Sequence, residues 1–168
     1  FGYNHKAITK ELDRQLHKLI NLHGSFNSDV RNQAAKGLIQ SCGGKVTKVF
    51  FSNSGAEAIE GALKFARIST GKSHFIAMEK SYHGKTLGAL SATSGDKYRK
   101  PFTPLLWNFT RVPFGNIKRL RLQVSTKTAA VIIEPIQGEG GIIIPPKNYL
   151  QSVQKVCREN NVLLIVDE

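Results

Sequence analysis

The run Leu163, Leu164, Ile165, Val166 is unbroken by any polar residue and closes on two acids, Asp167 and Glu168. A strand with one wet face alternates apolar and polar side chains. A strand covered on both faces reads instead as a short continuous apolar run, the mark of a parallel sheet packed between helices. Residues 129–133 repeat the pattern (Ala, Ala, Val, Ile, Ile). Stretches of helical period separate these runs, so the chain follows a strand–helix–strand rhythm.

That rhythm sets the expected elements. Ile8, Leu12, Leu16, Leu19 and Ile20 recur at helical spacing and predict an amphipathic helix closed by His23 and Gly24. Ser28 or Asn27 caps a second helix carrying Val30, Ala34, Leu38 and Ile39 and ending at Gly43 and Gly44. Beyond it the reading is a strand at 48–52, a helix from Gly55 to about Thr70, a strand at 74–77 and a helical stretch at 86–92. A loop containing Pro101 and Pro104 follows, then a strand at 110–112, a basic helix at 117–124, a strand at 129–133, a helix at 148–160 and the last apolar strand. The expected class is α/β, a mostly parallel sheet with covering helices.

Composition narrows the function. The 168 residues are 40% hydrophobic and 21% charged, with 15 Gly and 6 Pro, which excludes collagenous, disordered and linker-rich classes. No window holds eighteen consecutive apolar residues and no basic segment leads into an apolar run at the start, so neither a membrane span nor a secretory signal is read. Cys42 and Cys157 stand far apart without CxxC or zinc-finger spacing, and reduced thiols of a cytoplasmic protein are the expectation. The 24 Lys and Arg against 12 Asp and Glu give +12, but they are spread singly or in pairs with no aromatic-rich RNA-binding motif. Solvated faces, with no nucleic-acid or membrane partner, are the reading. The chain opens on Phe1 and stops at an apolar strand, so both ends read as cut.

In open α/β sheets ligands gather beyond the carboxyl ends of the strands, which directs attention to the strand-to-helix loops. Four carry chemistry. Ser52, Asn53, Ser54, Gly55, Ala56, Glu57 lead from an apolar run into a helix whose first N–H groups and positive dipole end suit a phosphate, unless Ser54 is simply a helix cap. Ser81, Tyr82, His83, Gly84, Lys85 set an aromatic ring, on which a planar cofactor could stack, beside an imidazole. Residues 134–141, with Glu134, Gln137 and Glu139, deliver two acids and an amide into a Gly-rich turn; no His accompanies the acids, so no metal is expected. Asp167 ends a buried-type strand, where an acid faces either a cationic ligand atom or solvent.

Taken in this order the four loops resemble the class III (ω-amino) pyridoxal-phosphate aminotransferases, most specifically at 50–60, 82–93, 131–141 and 163–168. The resemblance implies the large cofactor-binding domain of a fold type I enzyme, incomplete at its C-terminus, over 45–168, with 1–44 a helical segment ahead of it. It also implies that Ser54, Gly55 and Ala56 bind the phosphate of pyridoxal 5′-phosphate. Tyr82 stacks on the ring with His83 beside it, and Asp167 pairs with the ring nitrogen. Lys85, Glu134, Gln137 and Glu139 are implied to line the substrate side. The Schiff-base lysine is placed beyond Glu168, so no catalytic residue is assigned within this segment, which alone would be inactive. The partners implied are a small amine, a 2-oxo acid such as 2-oxoglutarate, and a second copy in a homodimer.

For the substrate, the stretches 87–93, 99–102 and 112–117 look closest to putrescine aminotransferases. Acetylornithine aminotransferases carry Arg where this chain has Lys85, and a lysine does not replace the two-pronged grip of a guanidinium on a carboxylate. A putrescine-like diamine is therefore the leading expectation. Acetylornithine or ornithine is the alternative, and a truncated non-catalytic remnant the third reading.

Overall fold

The computed structural model describes residues 1–168 apart from Gly44 and Trp107, and divides the chain into two units, 1–50 and 51–168.

The first unit holds helices α1 (Lys6–Leu16) and α2 (Asp29–Ser41). α1 is shorter than its apolar period suggests. The carbonyl of Gln15 takes the N–H groups of Lys18 (3.0 Å) and Leu19 (3.1 Å), and the Gln15 side-chain amide donates to the Leu19 carbonyl (2.9 Å). This tightened last turn leaves Leu19 and Ile20 outside the helix. For α2, Ser28 is the cap, its hydroxyl accepting from Arg31 N–H at 3.3 Å. The stop falls at Cys42 and Gly43, the latter at φ +64°; Gly44 lies outside the described residues. Neither helix buries a residue.

The second unit is built on four parallel strands, β1 (His74–Met78), β2 (Phe109–Val112), β3 (Thr128–Ile133) and β4 (Leu163–Val166), in the spatial order β2-β1-β3-β4. Its helices are α3 (Gly55–Thr70), α4 (Leu87–Ala92), the single turn α5 (Asp96–Arg99), α6 (Ile117–Gln123) and α7 (Tyr149–Glu159). Alternate side chains of the central strands serve two cores. Ile76, Met78, Val131 and Ile133 pack with Leu120 of α6 and with Tyr149, Val153 and Val156 of α7. Phe75, Ala77, Ala130 and Ile132 pack with Ile59, Leu63 and Ala66 of α3 and with Ala89 and Ala92 of α4. The second core is rich in alanine, which lets α3 and α4 approach the sheet closely. Cys157 lies in the first core, where burial pushes its thiol up to about 11; Cys42 is exposed.

Three further sequence expectations change. Residues 48–52 form no strand and join none of the four ladders; an apolar run of that length is a strand only where a neighbour offers its backbone. The loop expected around Pro101 contains α5 and a 3-10 turn at Lys100–Phe102, with Pro101 within that turn. β4 forms as expected but at the edge of the described sheet, with Leu163 42% and Val166 49% exposed.

Candidate active site

Parallel strands send all their carboxyl ends to one side, and the four loops singled out in the sequence belong there. The first turn is made by a reciprocal cap. Ser54 Oγ accepts from Glu57 N–H (3.2 Å), and the Glu57 carboxylate reaches back to Asn53 N–H (2.7 Å). The backbone N–H groups of Gly55 and Ala56 precede any intrahelical acceptor, and the space where a Gly55 side chain would stand is open. They point the positive end of a 16-residue helix outward.

The second loop is laced to the end of α4. Ser94 N–H donates to Ser81 O (2.8 Å), and His83 N–H donates to Thr93 Oγ1 (2.8 Å). Thr93 Oγ1 in turn donates to Ala89 O (3.1 Å). Gly84, at φ +133°, passes so close to the α3 start that a Cβ there would lie 2.7 Å from Ala56 Cβ. Glu60 ties the helices together from the other side, accepting from Gly88 N–H (2.8 Å) and Ala89 N–H (3.2 Å) at the beginning of α4.

The fourth loop begins where Asp167 N–H extends the β3–β4 ladder to Ile133 O (2.9 Å). There the Asp167 carboxylate meets His83 Nδ1 at 2.7 Å, the imidazole fully buried and the acid one-quarter exposed. Among the described residues His83 Nε2 is buried without a hydrogen-bond partner, and the bond from Nδ1 to Asp167 orients the ring.

In the third loop Glu134 is buried and accepts from Tyr82 N–H (3.1 Å). Burial holds its carboxyl above the usual carboxylate range, opposed by the Tyr82 hydrogen bond and by nearby His83. Gln137 is fully buried, its amide donating to Glu79 O (2.8 Å), and its backbone pairs with Ile143. It lines neither cleft. Gly140 runs against Lys80, where a Cβ would meet the carbonyl oxygen at 2.5 Å. Glu139 is exposed, and after Tyr98 it adds to the raising of the Lys97 pKa.

These loops enclose two open clefts that share Tyr82 and Asp167 as a wall. One, of about 470 Å³, is lined by Gly55, Ala56, Tyr82, His83, Gly84, Lys85 and Asp167. The other, of about 500 Å³, is lined by Tyr82, Glu134, Pro135, Ile136, Gly138, Asp167 and Glu168. The first therefore has free N–H donors, an aromatic ring and an acid around one space, a set that fits a planar, phosphorylated, cationic ring. Among the described residues no three His, Cys, Asp or Glu gather as a metal site, and no helix is long and apolar enough to cross a membrane. Sequence reasoning missed Glu60 and Thr93. They close the stretches 50–60 and 82–93 that carry the resemblance, but no role was read for either, since what each side chain bonds is set by the approach of α3 to α4 and of the Ser81–Gly84 loop to the end of α4.

A sheet of parallel strands with such a cleft at its carboxyl edge has the architecture of an α/β cofactor-binding domain. The family model described as aminotransferase class III matches residues 1–168, and the protein belongs to that family. It is 41% identical over 167 residues to the acetylornithine aminotransferase of Methanopyrus kandleri, covering 99% of this chain and 43% of that protein. It is 46% identical over 167 residues to the acetylornithine aminotransferase of Methanothermobacter thermautotrophicus, covering 99% and 42%. Its structure matches the ornithine aminotransferase of Toxoplasma gondii with a TM-score of 0.91 at 31% identity, covering 98% of this chain and 41% of that one. The fold is thus that of the fold type I aminotransferases, and the cofactor of the class is pyridoxal 5′-phosphate. The chain spans less than half the length of these relatives.

Proposed function

We propose that the protein is a pyridoxal-phosphate aminotransferase that moves the terminal amino group of an ornithine-type amino acid, N-acetylornithine first, to a 2-oxo acid such as 2-oxoglutarate. What carries the choice of substrate is the identity of 41–46% to acetylornithine aminotransferases along 99% of the chain. It reverses the order of preference read from the sequence alone. A putrescine-like diamine is the second reading, favoured by Lys85, a cleft-lining cation on a flexible stem where a carboxylate-gripping guanidinium would be expected.

In this reading residues 45–168 form part of the cofactor-binding domain. The Gly55 and Ala56 N–H groups and the Ser54 hydroxyl hold the phosphate, and Tyr82 supports the ring face. Asp167, oriented by His83, holds a proton on the ring nitrogen. Bound pyridoxal phosphate supplies the electron sink for the pair left at the carbon that bears the amine, and the neighbouring negative charge of Asp167 maintains that property. Lys85 and Glu139 face the substrate side. Glu134 fixes the backbone beneath Tyr82, and Gln137 acts by holding the loop to Glu79. The lysine that bonds the cofactor lies outside this segment, and the working enzyme is a cytoplasmic homodimer.

The deciding experiment is an amino-transfer assay on the full-length protein with N-acetylornithine, ornithine and putrescine. A preference of at least tenfold in kcat/KM for N-acetylornithine is expected. A preference for putrescine would install the second reading, and no transfer from any of the three would end the proposal. Borohydride trapping followed by peptide mapping should place the cofactor on none of the lysines of residues 1–168, Lys80 and Lys85 included.

A further inference from the structure

Tyr82 is held in two ways. Its backbone N–H donates to the buried Glu134 carboxylate (3.1 Å), and its ring meets that of Tyr98 in an inclined, edge-type contact, with centroids 5.5 Å apart and planes at 66°. Tyr98 lines neither cleft and belongs to none of the four motif loops. It stands on α5, a single turn whose entry requires Gly95 at φ +93°, and whose Tyr98 N–H donates to Gly95 O (3.2 Å). Lys97 rests its ammonium over the Tyr98 ring, 4.5 Å from the centroid.

A lone turn of this length has no stability of its own, so its position comes from its attachments. The half-buried Arg111 guanidinium, reaching from β2, donates to the carbonyls of Ser91 and Thr93 (2.9 Å for Thr93), just before α5 begins. Burial and the nearby Arg99 lower its pKa to about 10, which still leaves it charged at neutral pH. Ser94 N–H is fixed to Ser81 O at 2.8 Å, one residue before Tyr82. The two tyrosines are thus carried by segments that are themselves pinned together, and their ring contact is set by the backbone.

From this geometry we infer that Tyr98 is a positioning residue for the cofactor: by abutting Tyr82 outside the clefts it fixes the tilt of the aromatic plate and so the hold on the planar ring stacked there. This deepens the proposed function and rests on the reading of Tyr82 as that plate. An aromatic edge contact offsets rotamer freedom that Tyr82 would otherwise keep, and Tyr98 acts only through Tyr82.

The test uses the full-length holoenzyme. The dissociation constant of pyridoxal phosphate and the visible circular-dichroism band it acquires on binding are measured for Tyr98→Leu, Tyr98→Phe, Tyr82→Leu and the double variant. Tyr98→Leu should weaken cofactor binding about three- to tenfold, the size of one aromatic contact, and shrink the dichroic band. Tyr98→Phe should restore both, and Tyr98→Leu should add nothing in the Tyr82→Leu background. Tyr98→Met supplies a second variant of different shape should Tyr98→Leu fold poorly. Weakened binding in Tyr82→Leu with none in Tyr98→Leu or Tyr98→Met overturns the inference alone, as does full additivity of the two losses. Unchanged binding in Tyr82→Leu removes the plate itself, and the inference falls with it.

Discussion

Helices α1 and α7 have the same length and the same kind of amphipathic spacing, yet they end in opposite environments. In α7 Val153 and Val156 are wholly buried against the sheet, whereas in α1 Ile8, Leu12 and Leu16 are 47%, 60% and 56% exposed. Periodicity says that a helix forms and which face is apolar; it does not say what covers that face. α7 follows β3 in the chain and precedes β4, so the crossover lays it on the sheet. α1 lies in the other unit, outside this sheet, and carries on its surface an exposed Arg14–Glu11 pair.

Matched substitutions in the two units can break this comparison. Val153→Asp should cost more than about 4 kcal/mol in chemical unfolding or abolish folding, because it strands a carboxylate in a dry core. Leu12→Asp should cost less than about 1 kcal/mol. Equal losses would mean that the α1 face is covered in the native protein, and the contrast would vanish. Glycines give a smaller effect of opposite sign. Gly84→Ala forces a Cβ against Ala56 at a left-handed φ and should cost about 2 kcal/mol, read as a lower Tm. Gly37→Ala, inside α2 with open space around it, should gain about 0.5–1 kcal/mol.

The smallest effect lies in pH dependence. Burial raises the Glu134 carboxyl, so the folded protein binds a proton that the unfolded chain has already released; stability falls as pH rises from the ordinary value of 4.5 through the raised one. Glu134→Gln should flatten that descent in unfolding curves taken across the acid range. Glu11, exposed and lowered by Arg14, has the opposite sign, contributing above its ordinary value and losing that contribution as pH falls; Glu11→Gln should leave the profile almost unchanged.

Much of the second unit was legible because its signals are local. Continuous apolar runs marked β3 and β4, and the Ser54, Gly55 and Glu57 pattern marked the start of α3. The expectation at 48–52 failed because a strand is a property of a pair, and sequence displays one member. α5 escaped because four residues beside a proline carry no period. Within the site the residue types were readable and their partnerships were not. His83 and Asp167 stand 84 positions apart and meet only because β4 ends beside the Ser81–Gly84 loop. Gln137, read as a substrate-side residue, is fully buried and its amide donates to the Glu79 carbonyl, a pairing 58 positions apart that the sequence does not display.

The carboxylate of Glu60 joins the body of α3 to the first N–H groups of α4. The α3 start forms one end of the cleft, and the end of α4 secures the loop that carries Tyr82 and His83. A ligand spanning these two points thus meets a gap whose width was set during folding, before it arrives. Less disorder remains to be removed on binding, so more of the contact energy is retained as affinity. Glu60 is not among the residues that line the cleft, yet by bonding α3 to α4 it holds the two walls at a fixed separation.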